Sequence, residues 1–183
     1  ELEGARLGDQ GRVDPVDEHE HGGGNKQAFR RRRRQASDLP LLVEPIHEAV
    51  QSGKPFLGIC LGLQVLFSEG EEFGVHAGLG IIPGKVKRFR LDPALKVPHM
   101  GWNEVTYRTA CPLFDGIADG SHWYFVHSYY VDPSDETVAA AMTTYGTEFV
   151  SAVWRDNVVA CQFHPEKSQA VGLRLIKNFG TWK

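Results

Sequence analysis

Residues 54–64 read KPFLGICLGLQ. The apolar run from Phe56 to Ile59 has the composition of a buried strand, and LGLQVLFSEG (61–70) reads as a helix that begins at once. Cys60 then falls on a sharp strand-to-helix corner, exposed above the sheet as a nucleophile on such a turn is. Gly58 and Gly62 suit a corner so tight that neighbouring side chains would collide. A helix N-terminus just past the thiol favours the thiolate, the form that attacks.

Outward from this corner the chain keeps the same character. LLVEPIHEAVQSG before it reads as a short helix closed by Gly53, and GIIPGKVKRF and WYFVHSYYV after it are rich in strand-forming residues. EFVSAVWRDNVVACQF is two apolar runs about the turn Asp156-Asn157, a hairpin. SQAVGLRLIKNFGTW sets Val171, Leu175, Phe179 and Trp182 on one helical face behind Ser168 as N-cap. Helices and strands in this order predict an α/β domain over 41–183, a mixed sheet covered by helices.

A thiol nucleophile needs a base. QFHPEKS supplies His164 and Glu166, two residues apart at a strand end, where extended backbone projects both to one side. His164 can take the thiol proton and return it to a leaving amine, while Glu166 fixes the ring's tautomer. At this level the set serves a peptidase as well as an amide-hydrolysing enzyme. His127 reads as a satisfied strand histidine, and Cys111 and Cys161 as core.

Composition narrows the field. The 183 residues carry a formal net charge of −3, with no overall pull toward nucleic acid or membrane. Three scattered cysteines make neither a disulfide framework nor a metal site, which predicts a reducing, cytoplasmic compartment. No apolar run approaches the ~20 residues needed to span a bilayer. Residues 1–40 differ from the rest: few large apolar side chains, no periodicity and five consecutive arginines, Arg30 to Arg34. Such a segment is expected to be disordered. No aromatic residue interleaves the arginines, so a nucleic-acid arm is not expected. His19 and His21 lack a third ligand nearby, and no metal is expected.

GICLGLQ with a distant HPE resembles the class I (triad) glutamine amidotransferase family. EEFGVHAGLGIIPGKV, KVPHMGWNEV, YFVHSYYV and QFHPEKSQAVGLRLIKNF resemble the branch that supplies ammonia to imidazole glycerol phosphate synthesis. The resemblance runs from Leu41 to the C-terminus, and the PHMGWN stretch has no role in a peptidase. It implies a mixed, mostly parallel sheet flanked by helices, and no cofactor. It implies that Cys60 attacks the side-chain amide of glutamine, giving a glutamyl thioester and ammonia, with His164 as acid and base and Glu166 as orienter. The thioester's oxyanion would take a donor from the backbone N–H of Leu61. Gln64, Glu72, Ser128 and Tyr129 would contact glutamine. His99, Met100, Gly101, Trp102 and Asn103, with Lys167, would face a cyclase subunit of (β/α)₈ barrel fold in a heterodimer of histidine biosynthesis.

The opening forty residues depart from the family pattern. The first strand and its D-Y-G-x-G-N-like turn are unmatched, and HGGGNKQAF stands where a P-G-V-G oxyanion segment is expected. The family's first strands are therefore expected to be missing or replaced, by foreign coding sequence or by degeneration. The alternative function is a binding-only relative that keeps the cyclase interface without processing glutamine.

Overall fold

Strand-forming runs in this sequence alternate with apolar helical faces, and the computed structural model, which describes residues 40–183, assembles them into a mixed nine-stranded sheet with helices on both faces and a two-stranded ribbon beside it. Of the segment 1–40 expected to be disordered only Pro40 is described, as the first residue of a helix; the readings placed on HGGGNKQAF, on Arg30 to Arg34 and on His19 and His21 lie outside the described residues.

Helix α1 (Pro40–Gln51) leads into β1 (Phe56–Ile59), and α2 (Leu61–Val65) follows the corner at Cys60. The strands β2 (Phe67–Gly70), β3 (His76–Ala77), β4 (Ile82–Arg88), β5 (His99–Glu104) and β6 (Thr106–Tyr107) come next. Then come β7 (His122–His127), β8 (Tyr129–Pro133), β9 (Ala139–Tyr145), β10 (Thr147–Arg155), β11 (Val158–Cys161) and α3 (Gln169–Thr181). The main sheet runs β1-β11-β10-β8-β4-β2-β3, with β9 on β10 and β6 on β9, while β5 and β7 form a separate antiparallel ribbon. No helix among the described residues is long and apolar enough to cross a membrane.

The mixed sheet flanked by helices is as expected; its internal balance is not. Among the described residues only β1 with β11 and β2 with β4 pair in parallel, and the other pairings are antiparallel. Hairpin connections in the second half of the chain, such as the turn at Asp156, produce this excess.

Alternation along β11 explains the two-sided core. Val158 and Ala160 join one buried cluster, and Val159 and Cys161 the other, as period-2 backbone requires of a strand covered on both faces. Leu63 of α2 belongs to the first cluster, with Ile46 and Val50 of α1 packed against it. On the other face, Leu175 of α3 is buried, with Val171, Phe179 and Trp182 packed beside it. Burying a leucine of this kind stabilises by about 2–3 kcal/mol.

One local expectation needs correction. LGLQVLFSEG is not one helix: α2 stops at Val65, and Phe67 to Gly70 form β2. Leu66 and Phe67 are fully buried and Phe67 pairs with Ile82, so sheet pairing overrides a pattern that contains no breaker. WYFVHSYYV is strand as its composition predicts, in two pieces, β7 and β8, interrupted at Ser128.

Candidate active site

The corner between β1 and α2 is built from backbone strain. Cys60 holds φ 50° and ψ −103°, a conformation that non-glycine residues rarely adopt and that is kept only where the surroundings enforce it. Its N–H donates to the Cys161 carbonyl at 2.8 Å, tying the corner to β11. Gly58 is sterically required: a Cβ there would stand 2.7 Å from the Gly62 carbonyl oxygen and 2.9 Å from Ala160 Cβ. Gly62 is not, since a Cβ there meets nothing within 4 Å. The collision expected at both glycines is confined to the first.

The Cys60 thiol is half-buried, and burial raises its pKa above the ordinary value. The N–H of Leu61, the side-chain amide of Gln162 and the charge of Lys167 pull it down, while the Glu166 carboxylate adds to the rise. With five residues, α2 is too short for its dipole to outweigh desolvation. The resting thiol is therefore protonated at neutral pH, and a base must take its proton.

His164 follows β11, its backbone N–H donating to the Tyr124 carbonyl at 2.8 Å and its carbonyl accepting from Ser168 Oγ at 2.7 Å. Its Nδ1 meets Glu166 Oε1 at 2.7 Å, an arrangement in which Nδ1 carries hydrogen and Nε2 is left with its lone pair. His164 Nε2 is buried without a hydrogen-bond partner. The two side chains do not meet across an extended strand, however. Pro165–Lys167 is a 3₁₀ turn, and that turn brings the carboxylate back onto the ring. Ser168 precedes α3 as expected but makes no side-chain cap; its hydroxyl also accepts from the Tyr124 N–H at 3.0 Å.

Beside the corner lies a cleft of about 140 Å³ lined by Leu61, Gln64, Glu72, Tyr129 and, among others, Glu69 and His76. Three of the four residues assigned to glutamine thus share one cavity with the residue after the nucleophile. Ser128 does not line it; it sits in the β7–β8 break, its carbonyl accepting from the Phe89 N–H at 3.0 Å. A larger cavity, about 670 Å³ along the C-terminal end of α3, includes Cys111 and none of these groups.

The β5–β7 ribbon separates the PHMGWN residues. Met100 and Trp102 are 61% and 47% exposed. Gly101 between them has φ +126°. Trp102 meets Tyr124 edge-on at 6.0 Å, and Lys167 Nζ stands 5.8 Å over the same Tyr124 ring, so these three side chains are contiguous. His99 faces the other way. It is 2% exposed and stacked between Phe125 and Tyr145, so the expectation that it faces a partner fails on burial. Asn103 is half-buried and donates to the Thr144 carbonyl at 2.9 Å. His127, Cys111 and Cys161 are buried, as expected of core positions.

Sequence reasoning missed Gln162. It is fully buried, with its Nε2 3.5 Å from Cys60 Sγ and its Oε1 accepting from Gln64 Nε2 at 3.0 Å. The signal existed: it stands two residues before His164 at the end of β11, the same offset that singled out Glu166.

Comparisons with known proteins agree with this geometry. The family model for glutamine amidotransferase class-I matches residues 29–181. Imidazole glycerol phosphate synthase subunit HisH of Syntrophotalea carbinolica is 62% identical over 143 residues, covering 75% of this chain and 69% of its own. HisH of Geobacter sulfurreducens is 54% identical over 146 residues, covering 77% and 70%. A solved glutamine amidotransferase of Thermotoga maritima superposes with a TM-score of 0.55 at 21% identity. That match covers 86% of this chain but 60% of the other, less than two thirds of its length. A second solved glutamine amidotransferase gives 0.54 at 19% identity, covering 76% and 68%. With a family model over most of its length and a HisH relative at such identity, the chain belongs to the class-I glutamine amidotransferase family.

Proposed function

We propose that the chain is a glutaminase subunit that hydrolyses L-glutamine to glutamate and ammonia and passes the ammonia to a cyclase partner in imidazole glycerol phosphate synthesis. The observation that carries the reading is a His164 ring, just past the strand to which the strained Cys60 corner is tied, whose Nδ1 is held by Glu166 and whose Nε2 is buried and unpartnered. Such a ring can accept a proton at one nitrogen only.

Glutamine would enter the cleft lined by Gln64, Glu72 and Tyr129 with its amide carbon over Cys60. His164 Nε2 takes the thiol proton as sulfur attacks, and Glu166 stabilises the imidazolium that results. The oxyanion receives the backbone N–H of Leu61, the residue directly after the nucleophile. Protonation by His164 expels ammonia and leaves a glutamyl thioester. Water, deprotonated by the same nitrogen, then releases glutamate and restores the thiol.

The exposed Met100 and Trp102, with Lys167 beside them, form the face offered to the partner, a (β/α)₈ barrel cyclase. Three free cysteines support a reducing, cytoplasmic setting. The binding-only alternative draws no support from the described residues. Acid quenching of the chain during incubation with glutamine and partner tests the chemistry. A glutamyl adduct on the Cys60 peptide, absent in Cys60→Ala and accumulating in His164→Ala at most in traces, is expected. Turnover of glutamine that persists in Cys60→Ala would overturn it.

A further inference from the structure

An unbroken series of hydrogen bonds runs from the β5–β7 ribbon to the nucleophile corner. Asn103 Nδ2 lies 3.2 Å from His99 Nε2, and His99 Nδ1 lies 2.9 Å from His127 Nε2. His127 Nδ1 meets the Tyr129 carbonyl at 2.8 Å, and Gln64 Nε2 donates to that carbonyl at 3.1 Å. Gln64 Nε2 also donates to Gln162 Oε1 at 3.0 Å, and Gln162 Nε2 stands 3.5 Å from Cys60 Sγ.

Donor–acceptor logic leaves no orientation free. A carbonyl only accepts, so His127 Nδ1 carries the hydrogen, and in a neutral ring Nε2 must then accept. That makes His99 Nδ1 a donor and His99 Nε2 the acceptor for the Asn103 amide. The oxygen of Gln162 is occupied by Gln64, so its NH₂ end is the one that faces sulfur. The histidines are 2% and 5% exposed, and burial lowers both to about 4, so both stay neutral at neutral pH, as the series requires. Other groups act on the sulfur too: the Leu61 N–H and the Lys167 charge favour the thiolate, Glu166 opposes it, and the Val126 carbonyl, 4.0 Å from Sγ, accepts from the protonated thiol.

We infer that Gln162 is the residue that positions and stabilises the Cys60 thiolate, its amide held in the donating orientation by Gln64, the Tyr129 carbonyl and the His127–His99 pair. This deepens the glutaminase reading and rests on Cys60 as its nucleophile, yet it is legible in the sulfur alone. Gln162 acts through Cys60, with its own oxygen fully engaged by Gln64. A series with no free orientation also explains why so polar a side chain is fully buried beside a thiol: each of its polar ends has a partner.

The test is the pH dependence of Cys60 alkylation by iodoacetamide in the full chain, followed by mass spectrometry of the Cys60 peptide. Gln162→Leu should raise the midpoint by about one pH unit, a tenfold loss of thiolate at neutral pH, the size expected of one hydrogen bond to a charged group. His127→Phe should move it the same way by less, and His127→Asn, which keeps a donor for the Tyr129 carbonyl, should return it. An unchanged midpoint in Gln162→Leu overturns the inference. If that chain does not fold, Gln64→Leu, made on a half-exposed side chain, reads the same link, and an unchanged midpoint there overturns it equally. A shifted midpoint in a chain inert toward glutamine would remove the glutaminase reading and leave the positioning role; an active chain with an unshifted midpoint would do the reverse.

Discussion

At the scale of single residues, the candidate site is a contest between desolvation and a few fixed charges. Burial keeps the Cys60 thiol protonated, and Lys167 and Glu166 pull in opposite directions. Lys167→Ala should therefore move the thiol midpoint up and Glu166→Gln should move it down, both read by alkylation against pH. The buried histidines add a stability effect with a definite sign. His99 and His127 sit at about 4 against an ordinary 6.5, so below pH 6.5 the unfolded chain binds protons that the folded chain refuses. Stability should be full above pH 6.5 and fall as pH drops toward 4, by roughly 3 kcal/mol for a histidine shifted that far. Urea unfolding across this window should show a shallower loss in His127→Asn. The catalytic residue types were legible because nucleophile, base and orienter stand in short motifs. Gln162 was missed: its offset from His164 was in the sequence, but that its two amide ends face Cys60 and Gln64 shows only once the corner is folded against it.

At the scale of elements, the corner is set by one close approach. Gly58→Ala forces a Cβ onto the Gly62 carbonyl, an overpacking expected to cost about 1–3 kcal/mol and to misplace Cys60. Gly62→Ala meets no neighbour and should be neutral or stabilising by up to about 1 kcal/mol, since alanine is the better helix former. Thermal unfolding of the two variants separates them; equal losses would contradict the geometry. The strand before the corner, the hairpin about Asp156 and the face of α3 were all readable from periodicity. The end of α2 was not. Nothing between Val65 and Phe67 breaks a helix, and only the pairing of Phe67 with Ile82, distant in sequence, turns the chain into β2. The 3₁₀ turn that joins His164 to Glu166 was hidden for a similar reason: proline excludes a continuing ladder but does not say which way the chain then folds.

At the scale of the molecule, the β5–β7 ribbon carries exposed apolar side chains, Met100 and Trp102. Trp102, backed by Tyr124 and Lys167, has the character of an interface anchor: aromatic, partly supported and flanked by polar groups. Trp102→Ala should weaken binding of the cyclase partner by at least about tenfold with little change in the chain's own unfolding, as titration calorimetry and thermal melts would show. Fold class was legible at this scale because two-sided burial leaves continuous apolar runs such as Val158 to Cys161. The excess of antiparallel pairing was not, since pairing direction depends on which distant runs meet.

The central claim is that Cys60 hydrolyses glutamine. Its most direct test is glutamate formation by the chain mixed with the cyclase subunit and its nucleotide ligand, run beside Cys60→Ala. Steady glutamate release that falls by at least about 10⁴-fold in the variant is predicted. Release that survives the loss of Cys60, or a folded, partner-bound wild-type chain that leaves glutamine intact, would contradict the account.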